Sequence, residues 1–183
     1  SNATGAGDMT LLSTQTASSD STISFTSGID STYKEYVFKF YDIHPATNDV
    51  LFCVNFRDGS SAYDATKTTT LFRSRHTEGD GTAELVYRTA SDLAQSTGVQ
   101  HLTTGTGNDN DQSVSGTLHL YDPSSTTFVK HFIATTNEAH EGDGSSQTFM
   151  AGYCNVTAAI DGVQFTMSSG DIDAGTFKLY GVS

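Results

Sequence analysis

The sequence has few cations, and this limits the partners it can attract. Nine Lys and Arg stand against 21 Asp and Glu, which gives a formal net charge of −12 at pH 7. A charge of this sign repels nucleic-acid phosphates and anionic membrane surfaces. We therefore expect neither nucleic acid nor a membrane among its partners.

Long apolar runs and familiar catalytic motifs are also missing. No apolar run approaches the roughly 20 residues that span a bilayer, and no stretch has the charged-then-apolar layout of a signal peptide. The chain contains no Gly-x-Ser-x-Gly elbow, His-Glu-x-x-His, phosphate-binding loop or Cys-x-x-Cys. We expect a protein that is not an enzyme and that needs no cofactor, with calcium left open.

Cysteine, proline and tryptophan are scarce, with two, two and none. Cys53 and Cys154 both lie in apolar, strand-like runs, which favours buried free thiols. A disulfide between neighbouring strands stays open, because its formation depends on a Cα separation that sequence does not give.

What the chain has in excess is short hydroxyl side chains, 28 Thr and 22 Ser, which suit strands and turns more than helices. About ten short apolar or alternating runs are separated by Gly, Asp, Asn and Ser. This rhythm predicts an all-β protein, an antiparallel β-sandwich of the jelly-roll type. At most one short helix is expected, in residues 84–99.

Particular strands and pairings can be predicted. Residues 33–43 carry aromatic side chains on both parities, which indicates a central strand, and residues 50–57 follow as its expected hairpin partner. Residues 117–121 and 127–134 flank a turn containing Asp122 and Pro123, which predicts a second hairpin. The alternating residues 176–182 predict a final paired strand that closes the sheet.

One domain is expected. Residues 1–3, Ser-Asn-Ala, resemble the remainder of a cleaved expression tag, and residues 4–183 are long enough to bury a single core. The sequence contains no internal repeat that would indicate a solenoid or an array.

Three acidic loops are candidate calcium sites, because hard cations bind several oxygen ligands at once. They are residues 78–81, 108–111 and 138–143, and none matches an EF-hand loop. We rank residues 108–111 first, with Asn108, Asp109 and Asp111 as the candidate ligands. Solvated turns are the alternative reading for each loop.

Histidine and tyrosine supply the remaining candidates. His119 and His131 lie on the two arms of the second hairpin and could share a metal with Glu138 or His140, although a one-residue slip in register would separate them. Tyr63 and Tyr87 stand in polar or irregular stretches. We expect these two tyrosines to be exposed and to bind a ligand such as a sugar ring.

Three stretches carry a family resemblance: residues 5–47, beginning GAGDMTLLSTQTASSD, residues 115–132, SGTLHLYDPSSTTFVKHF, and residues 170–183, GDIDAGTFKLYGVS. Together they resemble a group of uncharacterised marine bacteriophage proteins of the cyanophage type, regarded as structural or tail proteins. The resemblance runs nearly end to end but brings no catalytic residues.

The resemblance implies a virion component: an appendage, fibre or decoration protein located in the virion. Its expected partners are further copies of itself, other virion proteins or a cell-surface glycan. The alternative is a carbohydrate-binding or polysaccharide-degrading β-sandwich, since two carboxylates in a groove could cleave a glycan.

Overall fold

The computed structural model describes residues 7–183, so the tag prediction for residues 1–3 and the start of the domain at Thr4 lie outside the described residues. Residues 7–183 contain no helix and form twelve strands. The strands are β1 (Met9–Asp20), β2 (Ile23–Phe25), β3 (Glu35–Pro45), β4 (Phe52–Arg57), β5 (Lys67–Thr77), β6 (Ala83–Tyr87), β7 (Gln100–His101), β8 (Val114–Tyr121), β9 (Lys130–His140), β10 (Gly144–Cys154), β11 (Gly162–Met167) and β12 (Ile172–Val182).

The strands form two antiparallel sheets, and their nested pairing is that of a jelly roll. One sheet has the order β1-β12-β3-β8-β9-β10-β5-β6 and the other the order β2-β11-β4-β7. The first four strands alternate between the sheets and pair with strands from the second half of the chain. The predicted all-β, jelly-roll-like sandwich is therefore confirmed.

Two hairpins are inserted into this jelly roll and enlarge one sheet. β5 and β6 lie between β4 and β7 in the chain, and β9 and β10 lie between β8 and β11. β10 pairs with β5, so the two hairpins continue the larger sheet beyond β8. We call β5, β6, β9 and β10 the extension, and the other eight strands the jelly-roll half.

An aromatic cluster fills the jelly-roll half. Phe165 of β11 lies at its centre, with ring centroids 5.0 to 6.3 Å from five other phenylalanines. These are Phe25, Phe38, Phe40, Phe52 and Phe177. Most of the ring pairs are edge-to-face, the arrangement that the ring quadrupole favours.

The prediction of a central β3 is correct, but its predicted hairpin with β4 is wrong. β3 pairs with β12 and β8, whereas β4 lies in the other sheet between β11 and β7. A bulge around Asp42, which has φ +51°, turns Ile43 to the buried face. A short connection can join neighbours in one sheet or cross between sheets, so its length did not distinguish the two.

The final strand is paired, as predicted, but it does not close the sheet. β12 lies between β1 and β3, one strand in from the edge.

The second predicted hairpin is confirmed by the pairing of β8 with β9. No helix forms in residues 84–99, because residues 83–87 pair with β5 as β6.

Both cysteines are buried free thiols, as predicted. Burial raises the pKa of each thiol to about 12.

In residues 7–183 we find no helix of the length and apolar character that membrane crossing requires.

The interior of the extension combines an apolar set, Leu71, Phe132, Ala134, Met150 and Cys154, with many buried polar groups. Its strands and the loops packed on them bury side chains that are usually exposed, among them Lys67 and Lys130 with no accessible surface. Others are Thr69, Arg73, Gln100, Thr103, Thr106, Thr136, Glu138, His140, Ser146 and Thr148.

Candidate binding groove on the outer sheet face

An apolar groove crosses the outer face of the extension, on the side of the sheet away from the smaller sheet. Its larger part, about 380 Å³, lies over β9, β10 and β5 between Tyr153, His131 and Ile133. A smaller part of about 200 Å³ continues to Phe72 and Phe149. The two parts share Thr70, Ile133 and Ala151.

Strand register explains why these side chains lie together. Tyr153 faces Thr68 and His131 on the neighbouring strands, and two residues earlier Ala151 faces Thr70 and Ile133. Alternate residues of a strand share one face, so these rows point outward together. The small side chains form the floor of the groove.

The larger side chains form its walls. Phe72 and Phe149 stack with centroids 4.9 Å apart and 14° between their planes. At the other end the rings of His131 and Tyr153 meet edge to face, 6.1 Å apart. Phe72 and Ile133 remain 41% and 47% exposed, so the groove is an open surface rather than part of the core.

The groove is free of charged side chains although the protein carries a net charge of −12. Among the described residues, neither part of the groove is lined by Asp, Glu, Lys or Arg. Its outward polar groups are the hydroxyls of Thr68, Thr70, Thr135 and Tyr153 and the ring nitrogens of His131. Such a surface can stack against apolar rings and exchange hydrogen bonds with neutral polar groups.

One of the two predicted ligand-binding tyrosines lies on this face. Tyr87 of β6 is opposite Phe72 and is 48% exposed. Its hydroxyl donates to Asp92 at 2.6 Å, and this hydrogen bond raises the pKa of Tyr87. Tyr63 lies elsewhere, in the loop between β4 and β5. There the guanidinium carbon of Arg57 stands over its ring, 5.9 Å from the ring centroid.

The predicted calcium loop, residues 108–111, lies between two polar hollows. Asp109 and Asp111 line one of about 310 Å³, together with Glu78 and Asp143 from the other two acidic loops. Asp111 also lines a second hollow of about 490 Å³. The fold thus brings one or more residues of all three loops to the same hollow.

These acidic side chains do not form a close ligand set. Within residues 7–183, no three His, Cys, Asp or Glu side chains are placed to hold a metal ion. Asn108 instead donates hydrogen bonds from its backbone amide to the Asn48 side chain and from its side chain to the Ala46 carbonyl. The side-chain oxygen of Gln112 accepts a hydrogen bond from the Asp109 backbone amide at 3.1 Å. Calcium binding by Asn108, Asp109 and Asp111 stays a prediction.

The proposed histidine pair is offset across the second hairpin. His119 faces Ile133 rather than His131. Its Nδ1 is hydrogen-bonded to Oε1 of Glu35, with 2.6 Å between the two atoms. His140 is buried on the opposite face of β9, and burial lowers its pKa. The four candidate ligands of this group are therefore divided between the two faces of the sheet.

A buried carboxylate lies on the inner face of the extension, near one end of β9. Glu138 of β9 is 1% exposed and accepts four hydrogen bonds. The donors are the amides of Thr104 and Gly105 and the hydroxyls of Thr104 and Thr106. This network fixes the loop before β8 against the extension. A carboxylate so saturated is a structural group rather than an acid or base for catalysis.

Sequence reasoning missed most of the groove. Of its lining residues it singled out only His131, as a metal ligand, and it did not name Phe72, Phe149 or Tyr153 as candidates. The usable signal was parity: Phe149, Ala151 and Tyr153 alternate with the buried Met150 and Cys154. An alternation with apolar residues on both faces indicates a strand whose outer face is apolar too.

Comparison with protein-family models, with curated proteins and with solved structures finds no match to this chain.

Proposed function

We propose that this protein is a non-enzymatic structural component of a virion, part of an appendage, fibre or decoration. In this proposal the groove on the outer sheet face binds a neutral glycan of the host surface. The observation that carries the proposal is an aromatic, charge-free groove on an otherwise acidic protein.

The fold and the sequence resemblance support the structural part of the proposal. Jelly rolls occur in viral capsid proteins, in lectin domains and in cupins, so the topology agrees with both assembly and sugar binding. A fold by itself does not assign a function, and the groove therefore carries the argument. A negatively charged surface also keeps assembled particles dispersed.

The chemistry of the groove favours a neutral ligand over a charged one. An anionic polysaccharide would approach a protein of charge −12 with no cation in the groove to offset the repulsion. A neutral sugar has apolar ring faces that pack on Tyr153 and Ile133. Its hydroxyls can bond to Thr68, Thr70 and His131.

The glycan part is tested by screening neutral and anionic oligosaccharides and measuring binding by titration calorimetry. We expect binding to a neutral oligosaccharide and at least a tenfold loss in affinity for Tyr153→Ala, because that variant removes one wall of the groove. Phe128→Ala is the matched control, since Phe128 is 71% exposed and lies outside the groove. Its affinity should equal that of the wild type.

Four outcomes would contradict the proposal. Binding restricted to anionic glycans, or binding unaffected by Tyr153→Ala, would remove the groove as the site. Release of shorter sugars from a bound polysaccharide at an ordinary catalytic rate would make the protein an enzyme. Absence of the chain from purified particles of the phage that encodes it, measured by mass spectrometry, would remove the virion assignment.

A further inference from the structure

The edges of the two sheets differ in how they are protected against pairing with another chain. In the smaller sheet the edge strands β2 and β7 have only three and two residues. In the larger sheet β1 is long, but a bulge interrupts it between Leu11 and Ser13, and most of the rest is Ser, Thr and Gln. Short strands and bulges are devices that prevent edge-to-edge association.

The remaining edge, β6, has none of these devices. Its sequence is AELVY, its register with β5 is continuous, and it contains no proline or lysine. In the described part of the chain, β6 pairs with β5 alone. Its second row of backbone donors and acceptors is therefore open. Leu85 is 72% exposed at its centre.

We infer that the chain forms a two-fold dimer in which β6 of one copy pairs antiparallel with β6 of a second copy. The strand is self-complementary when the pairing is centred on Leu85. Leu85 then lies opposite Leu85 of the second copy, and Ala83 lies opposite Tyr87. These outward side chains would bury one another, and the edge backbone groups would all find partners.

The charges on the strand are compatible with this register. Glu84 would lie opposite Val86 rather than opposite a second Glu84, and its carboxylate already pairs with Arg73 of β5. Just beyond the strand, Arg88 would lie opposite Thr82. No like charges meet directly, so the net charge of −12 opposes the dimer only at long range.

The dimer joins two eight-stranded sheets into one. A two-fold axis perpendicular to the sheet keeps the outer faces of both copies on the same side, so both grooves would face one surface. This consequence rests on the proposed function: two groove sites on one face would bind a multivalent glycan more tightly than a single site. The interface itself lies outside the groove and does not depend on any ligand.

The test is the solution mass measured by light scattering and sedimentation without any glycan. At about 100 µM chain, well above a micromolar dissociation constant, we expect twice the 19.5 kDa chain mass. Leu85→Lys should give the single-chain mass, because the two lysines would lie opposite each other at the two-fold axis and repel. Phe128→Lys, an equally exposed control, should remain dimeric. A wild type of single-chain mass, or a dimeric Leu85→Lys, overturns the inference.

A cysteine variant tests the register directly. Cys53 and Cys154 are buried, so Leu85→Cys introduces the one accessible thiol. Opposed residues of an antiparallel pair have Cα atoms about 4.5 to 5.5 Å apart, within disulfide range. We expect mild oxidation to give a covalent dimer at least tenfold faster than for Phe128→Cys. Equal rates for the two variants would rule out pairing centred on Leu85. Glycan binding by a single-chain species would then leave the proposed function intact.

Discussion

The jelly-roll half and the extension share the larger sheet but bury different proportions of apolar and polar side chains. The jelly-roll half surrounds Phe165 with five other phenylalanines. The extension buries a smaller apolar set together with two lysines, an arginine and a glutamate, and it leaves apolar side chains on its outer face. In the extension, loops rather than a full second sheet cover the interior.

This difference separates stability from binding. Close-packed aromatic side chains contribute most when they are fully buried, so the jelly-roll half should set the free energy of unfolding. Polar groups buried in the extension need partners that fix their positions. The extension therefore fixes the geometry of loops, while its outer face is left available to a ligand.

The largest effect is expected from Phe165→Ala. Removing the central ring leaves a cavity that five rigid neighbours cannot fill, which should lower the free energy of unfolding by about 4 kcal/mol. Chemical denaturation measures the loss. Phe128→Ala, at an exposed position, should change it by less than about 0.5 kcal/mol. A small effect of Phe165→Ala would show that the aromatic cluster does not determine stability.

Glu138→Gln should lower stability by about 2 kcal/mol. The new amide is a donor, and it would face Thr106 and Gly105, which already donate to Glu138. Hydrogen exchange should show that the substitution speeds the opening of residues 103–106 more than it speeds the opening of the jelly-roll strands. Glu78→Gln makes the same chemical change at an exposed site and should be neutral. Equal exchange in wild type and Glu138→Gln would argue against the bracing role.

Lys67 should give the extension a pH dependence that the aromatic core lacks. Burial lowers its pKa to about 8, while in the unfolded chain it is near 10.5. From pH 7 to 9 the unfolded chain holds the proton that the folded protein releases, so stability rises with pH. Relative to Lys67→Met, wild type should gain about 1 kcal/mol over this window.

The control for this measurement is Lys34→Met, because the Lys34 side chain is 81% exposed. That variant should follow the wild-type pH profile. The pKa values of about 12 keep both thiols protonated in the folded protein up to pH 9, so their contribution is the same in every variant. Parallel profiles for Lys67→Met and wild type would contradict a lowered pKa at Lys67.

Phe72→Ala should have a small effect on stability, about 1 kcal/mol, the value of an aromatic pair at a partly exposed site. The comparison with Phe165→Ala uses one residue type in the two regions. Glycan affinity should fall by more than fivefold, because Phe72 lines the smaller part of the groove. A large loss of stability with unchanged affinity would instead assign the outer face to the core.

Local patterns predicted the strands well and their partners less well. Alternation located β12, and the Asp122-Pro123 turn correctly predicted the pairing of β8 with β9. The predicted β3–β4 hairpin was wrong, because a crossover between sheets and a hairpin can both use a short connection. Tyr87 was correctly predicted to be exposed, but the groove on the same sheet face is built from distant parts of the chain.

The sequence by itself determined the all-β class and the acidic charge, and it correctly favoured the buried thiols. Each of these follows from composition or from a period of two along the chain, which are local properties. Only the tertiary structure decided the strand order, the buried charged side chains of the extension and the outer groove. These depend on the register between strands distant in sequence, and a shift of one residue would exchange the buried face for the exposed one.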